Sequence, residues 1–103
     1  MSAFFLVRAN VADPADRPGF DEWYRAHHLP LARSAFGAEH AVRMWSRTDP
    51  AVHIALYRFP SLAAVEAITT PEILTPLLAD FDAAWPQVTR TREVLEGFEE
   101  LRG

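Results

Sequence analysis

The pattern of apolar and polar residues along the chain predicts four β-strands. β-Branched, aromatic and other apolar residues dominate four segments or alternate there with polar ones: residues 3–11, 39–47, 52–59 and 88–98. Only a short turn sequence, Thr48-Asp49-Pro50, separates the second segment from the third. We therefore expect these two strands to pair as a hairpin.

Two helical regions separate the outer strands from this hairpin. Five residues have the spacing that lines one face of a helix: Phe20, Trp23, Tyr24, His27 and Leu31. They predict a helix over residues 20–28, which loosens before Pro30 because proline disfavours a helical conformation in the residue before it. The second region begins after Pro60 with Ser61 as its cap. Thr70-Pro71 and Thr75-Pro76 predict that it consists of two or three short pieces.

The resulting order of elements is β-α-β-β-α-β. This order is typical of ferredoxin-like α+β folds, in which a four-stranded antiparallel sheet has both helices on one face. The length of 103 residues is that of one domain, and we expect a single domain over residues 1–103.

Two helices cover only one face of such a sheet, so the other face needs a separate explanation. Alternation assigns Phe5, Val42, Ile54 and the residues in phase with them to the covered face. The uncovered face is predicted to carry Phe4, Leu6, Arg8, Arg43, Trp45, Tyr57 and Phe59. Because an apolar patch of this kind usually marks an interface or a ligand groove, we expect a homodimer, a dimeric α/β barrel with an enclosed cavity. The alternative is a hydrated sheet with a few isolated aromatic residues.

Composition and charge exclude several classes of protein. The chain is 50% hydrophobic and 12% aromatic, which argues against disorder. Its formal net charge of -4 comes from interspersed acids and bases and gives no support for binding nucleic acid. The sequence has no cysteine, which excludes disulfides and thiolate chemistry. No segment predicts a membrane span and the first residues predict a strand rather than a signal peptide, so we expect a cytoplasmic protein.

Residues 20–31 have the sequence Phe-Asp-Glu-Trp-Tyr-Arg-Ala-His-His-Leu-Pro-Leu. This segment resembles the signature of the EthD-like branch of the dimeric α/β-barrel superfamily, in which aromatic-x-x-Trp/Tyr-Tyr is followed by His-x-Pro-Leu. Residues 57–65 and Thr70-Pro71-Glu72 are similar to the family's passage from the third strand into the second helix. Relatives include proteins that accompany ether-degrading oxygenases, methylmuconolactone isomerases and polyketide cyclases. The resemblance therefore implies a fold more than a reaction.

His28 matches the histidine of that signature and is the first candidate for catalysis. Its imidazole can act as a general acid or base, or donate a hydrogen bond to a ligand, at the mouth of the barrel cavity. The alternative is a histidine that interacts with the helix end. Tyr24 lies one turn earlier and could orient it, whereas His27 is expected to pack in the core. Adjacent histidines lack the spacing of metal ligands, and we expect neither a metal nor another cofactor.

Four further residues are candidates for binding a substrate. Arg8 and Arg43 could hold a carboxylate or enolate, or could instead reach solvent or pair with an acid. Trp45 and Tyr57 could shape an aromatic pocket, or could pack at the dimer interface. In the second helical region, the carboxylates of Asp80 and Asp82 are expected to be solvated.

These residues leave three functions open, and with them the question of whether the chain is an enzyme. The first is cofactor-independent proton transfer, such as isomerisation or cyclisation, on a small aromatic or hydrophobic oxygenated compound. The second is non-catalytic binding of a small molecule, as in an accessory protein of an oxygenase pathway. The third is a cofactor-free monooxygenase.

Overall fold

A computed structural model describes residues 1–101 and shows a four-stranded antiparallel sheet with helices on one face. The strands are β1 (Ala3–Asn10), β2 (His40–Trp45), β3 (Val52–Phe59) and β4 (Thr89–Glu96). They lie in the order β2-β3-β1-β4, and every neighbouring pair is antiparallel. The predicted hairpin of the second and third strands is present, and the predicted ferredoxin-like α+β fold is confirmed.

Residues 17–36 form one continuous helix that contains a wider turn. A short 3-10 turn, Pro14–Asp16, precedes it. Its parts are α1 (Arg17–Trp23), a π turn (Tyr24–His28) and α2 (Leu29–Phe36). The N–H of Leu29 bonds to the carbonyl of Tyr24, five residues earlier, which is the π pattern. The helix does widen before Pro30, at the π turn, but the predicted end at residue 28 is wrong, because α2 continues the helix to Phe36. Pro30 lies in the first turn of α2, directly after the π turn, where its missing N–H costs little.

The buried residues of this helix recur every four positions: Phe20, Tyr24, His28, Ala32 and Phe36. In a regular α-helix, each step of four residues rotates the side chain by about 40°, so five such residues would turn away from the sheet. The π turn has more residues per turn and takes up this drift. The helix face predicted from the sequence is therefore wrong after Tyr24, because His27 and Leu31 do not lie on the buried side. The side chain of His27 is 50% exposed and Leu31 is 41% exposed.

Helices α3 (Leu62–Ile68) and α4 (Pro71–Ala84) form the second helical region, in two pieces. Ser61 caps α3 as predicted, because its hydroxyl accepts a hydrogen bond from the N–H of Ala64 at 3.2 Å. Pro71 begins α4, whereas Pro76 lies inside that helix and starts no further piece. Among the helices of residues 1–101, none is long and apolar enough to cross a membrane alone. Only α3 and α4 taken together, bent by 65°, have the required length and composition.

The strand register decides which side chains face the helices. Phe5 lies opposite Tyr57, which lies opposite Ala41, and Trp45 lies opposite His53. The predicted faces of β1 are therefore confirmed, whereas the two faces of β2 and of β3 are the reverse of those predicted. The covered face thus carries Arg43, Trp45, Tyr57 and Phe59. Alternation could not decide this, because β3 is largely apolar on both faces. Its bulky aromatic residues fill the space under the helices, and its aliphatic residues form the flatter outer face.

The uncovered face of the sheet is still largely apolar, although not with the predicted residues throughout. It carries Phe4, Leu6, Val42, Met44, Ile54 and Leu56. Phe4 and Leu6 were predicted for this face, and the other four were predicted for the covered one. Met44 is 42% exposed, and the others are half-buried. A broad apolar surface therefore lies on the side of the sheet away from the helices.

Candidate functional site

A cavity of about 460 Å³ lies between the helices and the covered face of the sheet. Much of its wall is apolar, with Phe5, Val7, Phe36, Leu74, Leu77 and Phe81 among the lining residues. Its main polar side chains are those of Tyr24, His28, Tyr57, Arg90 and Arg92. A mostly apolar cavity of this size with a few convergent polar groups is typical of a small-molecule site.

His28 is held firmly in the wall of this cavity. It is 6% exposed, its ring stacks on Trp23 with centroids 4.7 Å apart, and the ring of Phe81 lies edge-on at 5.6 Å. Its Nδ1 lies 2.9 Å from Oδ2 of Asp80. Because an ionised carboxylate can only accept, Nδ1 carries the proton and donates it to Asp80. In the neutral ring, Nε2 then has a free lone pair, and within residues 1–101 no protein group pairs with it.

The environment of His28 favours this neutral form. Burial lowers the pKa of His28 below its ordinary value of 6.5 and outweighs the hydrogen bond and the negative charge of Asp80, which act in the opposite direction. The imidazole is therefore unprotonated at neutral pH. A neutral imidazole with a fixed tautomer and a free Nε2 has the properties required of a general base.

Asp80, on α4, contacts both adjacent histidines. Its Oδ1 accepts a hydrogen bond from Nε2 of His27 at 2.9 Å, while its Oδ2 accepts the one from His28. Burial acts to raise the pKa of Asp80, but the hydrogen bonds from His27 and His28 prevail and lower it. The expectation that Asp80 is merely solvated is therefore wrong. The sequence offered one signal, since Asp80 lies three residues after Leu77 at the edge of the apolar face of α4.

Tyr24 and Tyr57 bring two phenol groups to the same cavity, and both are 1% exposed. Burial raises the pKa of Tyr24 to about 12, although a hydrogen bond from Tyr57 acts to lower it. Burial also raises the pKa of Tyr57, and the neighbouring Tyr24 adds to this effect. Both groups are protonated at neutral pH. Because the single O–H of Tyr57 is donated to Tyr24, Tyr24 is the one that can donate to an oxygen of a ligand. The ring of Tyr24 contacts His28 edge-on at 5.1 Å, but the hydrogen bond that orients His28 comes from Asp80.

Three of the predicted binding residues lie outside the cavity. Nη1 of Arg43 and Nε1 of Trp45 both donate to Oδ1 of Asp21, at 2.6 and 2.8 Å. These bonds connect α1 to the edge strand β2, and they lower the pKa of Asp21. Arg8 lies opposite Ile54 and therefore belongs to the uncovered face. Of the six predicted site residues, the cavity brings together His28, Tyr24 and Tyr57.

The cationic groups of the cavity come instead from the edge strand β4. The Cζ atom of Arg90 lies 4.2 Å from the ring centre of Phe81, and its Nη1 donates to Oδ1 of Asp82 at 2.7 Å. The positive charge of Arg90 reaches the site, because it contributes to lowering the pKa of both His28 and Tyr24. Alternation places residues 90 and 92 on the same side of the strand, but it does not show that this side faces the cavity.

His53 lies behind the cavity wall rather than in it. It is completely buried, its ring centre is 4.5 Å from that of Tyr24, and within residues 1–101 neither ring nitrogen has a partner. Burial lowers the pKa of His53 to about 4. The part of the chain that the structure describes contains no group of three His, Asp or Glu residues arranged to hold a metal ion.

Several solved structures share this fold over nearly the whole chain. An EthD family protein from Bacillus halodurans has a TM-score of 0.71 at 18% identity, covering 95% of this chain and 100% of its own. A single-site variant of SnoaB, a cofactor-independent oxygenase from Streptomyces nogalater, has a TM-score of 0.68 at 16% identity, covering 99% and 98%. A candidate antibiotic biosynthesis monooxygenase from Deinococcus radiodurans has a TM-score of 0.68 at 13% sequence identity, and the match covers 96% of each chain.

These similarities define the class of the chain by its fold. It has the ferredoxin-like α+β fold that the EthD family protein from Bacillus halodurans and SnoaB also have. The EthD-like resemblance of the sequence is thus confirmed at the level of the fold. No protein-family model matches the sequence, and no curated protein matches it.

Proposed function

We propose that the chain binds a small, largely apolar, oxygenated compound in the cavity and catalyses a cofactor-independent proton transfer on it. One observation carries the proposal: His28 is buried, its Nδ1 is fixed by Asp80 at 2.9 Å, and it borders an apolar cavity. An aspartate-oriented imidazole of this kind acts as a general base once a substrate proton lies within hydrogen-bonding reach of Nε2.

The tyrosine hydroxyls supply the second half of this chemistry. Nε2 of His28 removes a proton from a carbon next to a carbonyl group, and the electron pair of the broken C–H bond forms an enolate. The hydroxyl of Tyr24, which accepts a hydrogen bond from Tyr57, donates its own hydrogen bond to the enolate oxygen in the mostly apolar cavity. Asp80 stabilises the imidazolium. Where a C=C bond adjoins the enolate, return of the proton to the far carbon of that bond shifts the double bond and completes an isomerisation without any change in oxidation state.

An apolar ketone with exchangeable α-protons tests the proposal without knowledge of the natural substrate. We expect the protein to accelerate the exchange of the α-protons of 2-tetralone in D₂O, followed by NMR. His28→Gln should reduce the enzymatic exchange rate by about 100-fold or more, in line with the contribution of a general base. Asp80→Asn should reduce it by about tenfold, in line with the loss of a partner that orients a catalytic group.

The neighbouring histidine provides a matched control for this experiment. His27 binds the same carboxylate as His28, but it is half-exposed and does not line the cavity. His27→Gln should therefore retain most of the exchange activity. A wild-type protein that does not accelerate exchange, or a His28→Gln variant as active as the wild type, would contradict the proposal.

The similarity in fold to SnoaB favours a second candidate, cofactor-free oxygenation. The same base would deprotonate an electron-rich phenol, and the phenolate would react with molecular oxygen as co-substrate, one oxygen atom entering the ring to give a quinone and the other leaving as water. Oxygen uptake with an electron-rich naphthol, lost in His28→Gln, would support this reaction, and no uptake would remove it. Binding of such compounds without exchange or uptake would instead support the non-catalytic accessory role.

The proposal also includes a homodimer in the cytoplasm. Pairing of the apolar uncovered faces of two copies would produce the dimeric α/β barrel that the sequence predicts, and it would remove residues such as Leu6, Ile54 and Leu56 from water. The cavity lies on the other side of each sheet, so each copy would keep its own site.

A further inference from the structure

The charges of the cavity lining are of one sign. Arg90 and Arg92 both border the cavity, whereas no Asp or Glu of residues 1–101 does, although the chain as a whole has a formal net charge of -4. Arg90 is already paired with Asp82 at 2.7 Å. Arg92 has no ion pair or side-chain hydrogen bond within residues 1–101. Arg92 is therefore the cation that remains available to a ligand.

Arg92 also lies where the cavity adjoins a smaller depression of about 280 Å³. The two spaces share Arg92, Phe5 and Leu74, so the guanidinium borders both. Glu93 borders the smaller depression but not the cavity. Since Arg92 lies opposite Val7 on β1, its side chain starts from the covered face of the sheet. A ligand whose apolar body fills the cavity can thus meet this cation at the rim.

We propose that the compound bound in the cavity is a small apolar carboxylic acid whose carboxylate is held by Arg92. The proposal rests on the proposed function and names the substrate class. The planar guanidinium can hold a carboxylate through two parallel hydrogen bonds, and this charge-assisted contact is stronger than one between neutral groups. A neutral compound would gain no such contact.

Arg90 and Arg92 then interact with different parts of the compound. Arg92 anchors the carboxylate at one end of the compound, which fixes the orientation of the rest. Arg90 is the one whose charge reaches His28 and Tyr24, and it stabilises negative charge that develops at the reacting end. A compound with a carboxylate at one end and a carbonyl group at the other matches both positions.

A pair of nearly isosteric probes tests this inference: 2-naphthoate, which is an anion, and 2-naphthamide, which is neutral. Affinities would be measured by titration calorimetry at pH 8, where His28 is neutral. We expect the wild-type protein to bind 2-naphthoate about tenfold more tightly than 2-naphthamide, as for one partly exposed charge-assisted contact. Arg92→Met should reduce this preference to about twofold or less and leave the affinity for the amide unchanged.

Arg8→Met is the matched control, because Arg8 is also a strand arginine but lies on the uncovered face. It should keep the wild-type preference for the acid. Equal affinities for acid and amide in the wild type, no binding of 2-naphthoate, or a preference that survives Arg92→Met would overturn the inference. His28→Gln separates it from the proposed function, since this variant should lose exchange activity while retaining the preference for the acid.

Discussion

At the scale of single residues, burial gives two adjacent histidines different properties. His27 and His28 bind the two oxygens of the same carboxylate, yet only His28 is buried and borders the cavity. The sequence identified His28 through its match to a family signature. It could not identify Asp80, because the pair spans 52 positions and no local pattern connects them. The same limit applies to Asp21, whose bonds remove Arg43 and Trp45 from the site.

The lowered pKa of His28 predicts a specific pH dependence. The base form is the active one, so the exchange rate should rise as the pH increases through a pKa below 6.5 and should be constant at neutral pH. Asp80 acts to raise the pKa of His28, so Asp80→Asn should move the inflection to still lower pH. Rates of 2-tetralone exchange between pH 4.5 and 8 measure both effects. An inflection above 6.5 would show that His28 is not the neutral base proposed above.

The buried His53, whose ring nitrogens have no partner in the described part of the chain, predicts a loss of stability in acid. Its pKa is about 4 in the folded chain, against an ordinary value of 6.5. Between these values the unfolded chain takes up a proton that the folded chain does not. The free energy of unfolding should therefore fall as the pH decreases from about 6.5 to about 4, by on the order of 3 kcal/mol in total.

His53→Leu removes this titration while keeping a residue of similar size. Urea denaturation at pH 7 and pH 5 should show a smaller difference for the variant than for the wild-type protein. Aspartates such as Asp21 and Asp80 titrate in both proteins, so the comparison between the two isolates His53. The same pH dependence in variant and wild type would argue that His53 is not responsible.

At the scale of elements, the strands could be predicted more closely than the first helix. The bounds of β3 agree with its alternation, and those of the other strands differ by a few residues. The first helix departs from prediction because its buried residues recur every four positions, a spacing that an ideal α-helix does not keep on one face. The sequence contains Phe20, Tyr24, His28, Ala32 and Phe36 at intervals of four. A helix can bury all five on one side only if it contains a wider turn such as the observed π turn.

The end of this helix depends on Gly37, which adopts a left-handed conformation with φ of 62°. Its N–H closes the helix by bonding to the carbonyls of Arg33 and Ser34. A Cβ atom at this position would meet nothing within 4 Å, so an added side chain brings only conformational strain. Gly37→Ala should lower the free energy of unfolding by about 1 kcal/mol, measured in urea. Gly37→Asn should lower it less, because asparagine tolerates this conformation better.

At the scale of the whole molecule, the order of elements determined the fold, but the faces of two strands could not be read from it. The β-α-β-β-α-β order has few compact arrangements, and the ferredoxin-like one is observed. The side of β3 that faces the helices depends instead on which residues fill the space below them. That choice moved Tyr57 into the cavity and left Leu56 on the uncovered face.

The uncovered face predicts how the proposed dimer can be disrupted. Leu56→Glu places a charge in the middle of this face, where it would be buried in a dimer but hydrated in a monomer. We expect this variant to sediment as a folded monomer and the wild-type protein to sediment as a dimer. Ala63→Glu, on the exposed side of α3, is the control and should remain dimeric. A monomeric wild-type protein would refute the dimer without affecting the cavity.

The π turn also makes the site tolerant of one change in chain length. A chain that lost Ala26 could form a regular α-helix and would still contain His28, Tyr24 and Asp80. Phe20 and Tyr24 would remain four residues apart, and Tyr24 and His28 would be three apart, which places the three side chains within about 60° of one another around a regular helix. They would still face the sheet together. A one-residue gap at this turn in an alignment is therefore compatible with a relative that keeps the same site.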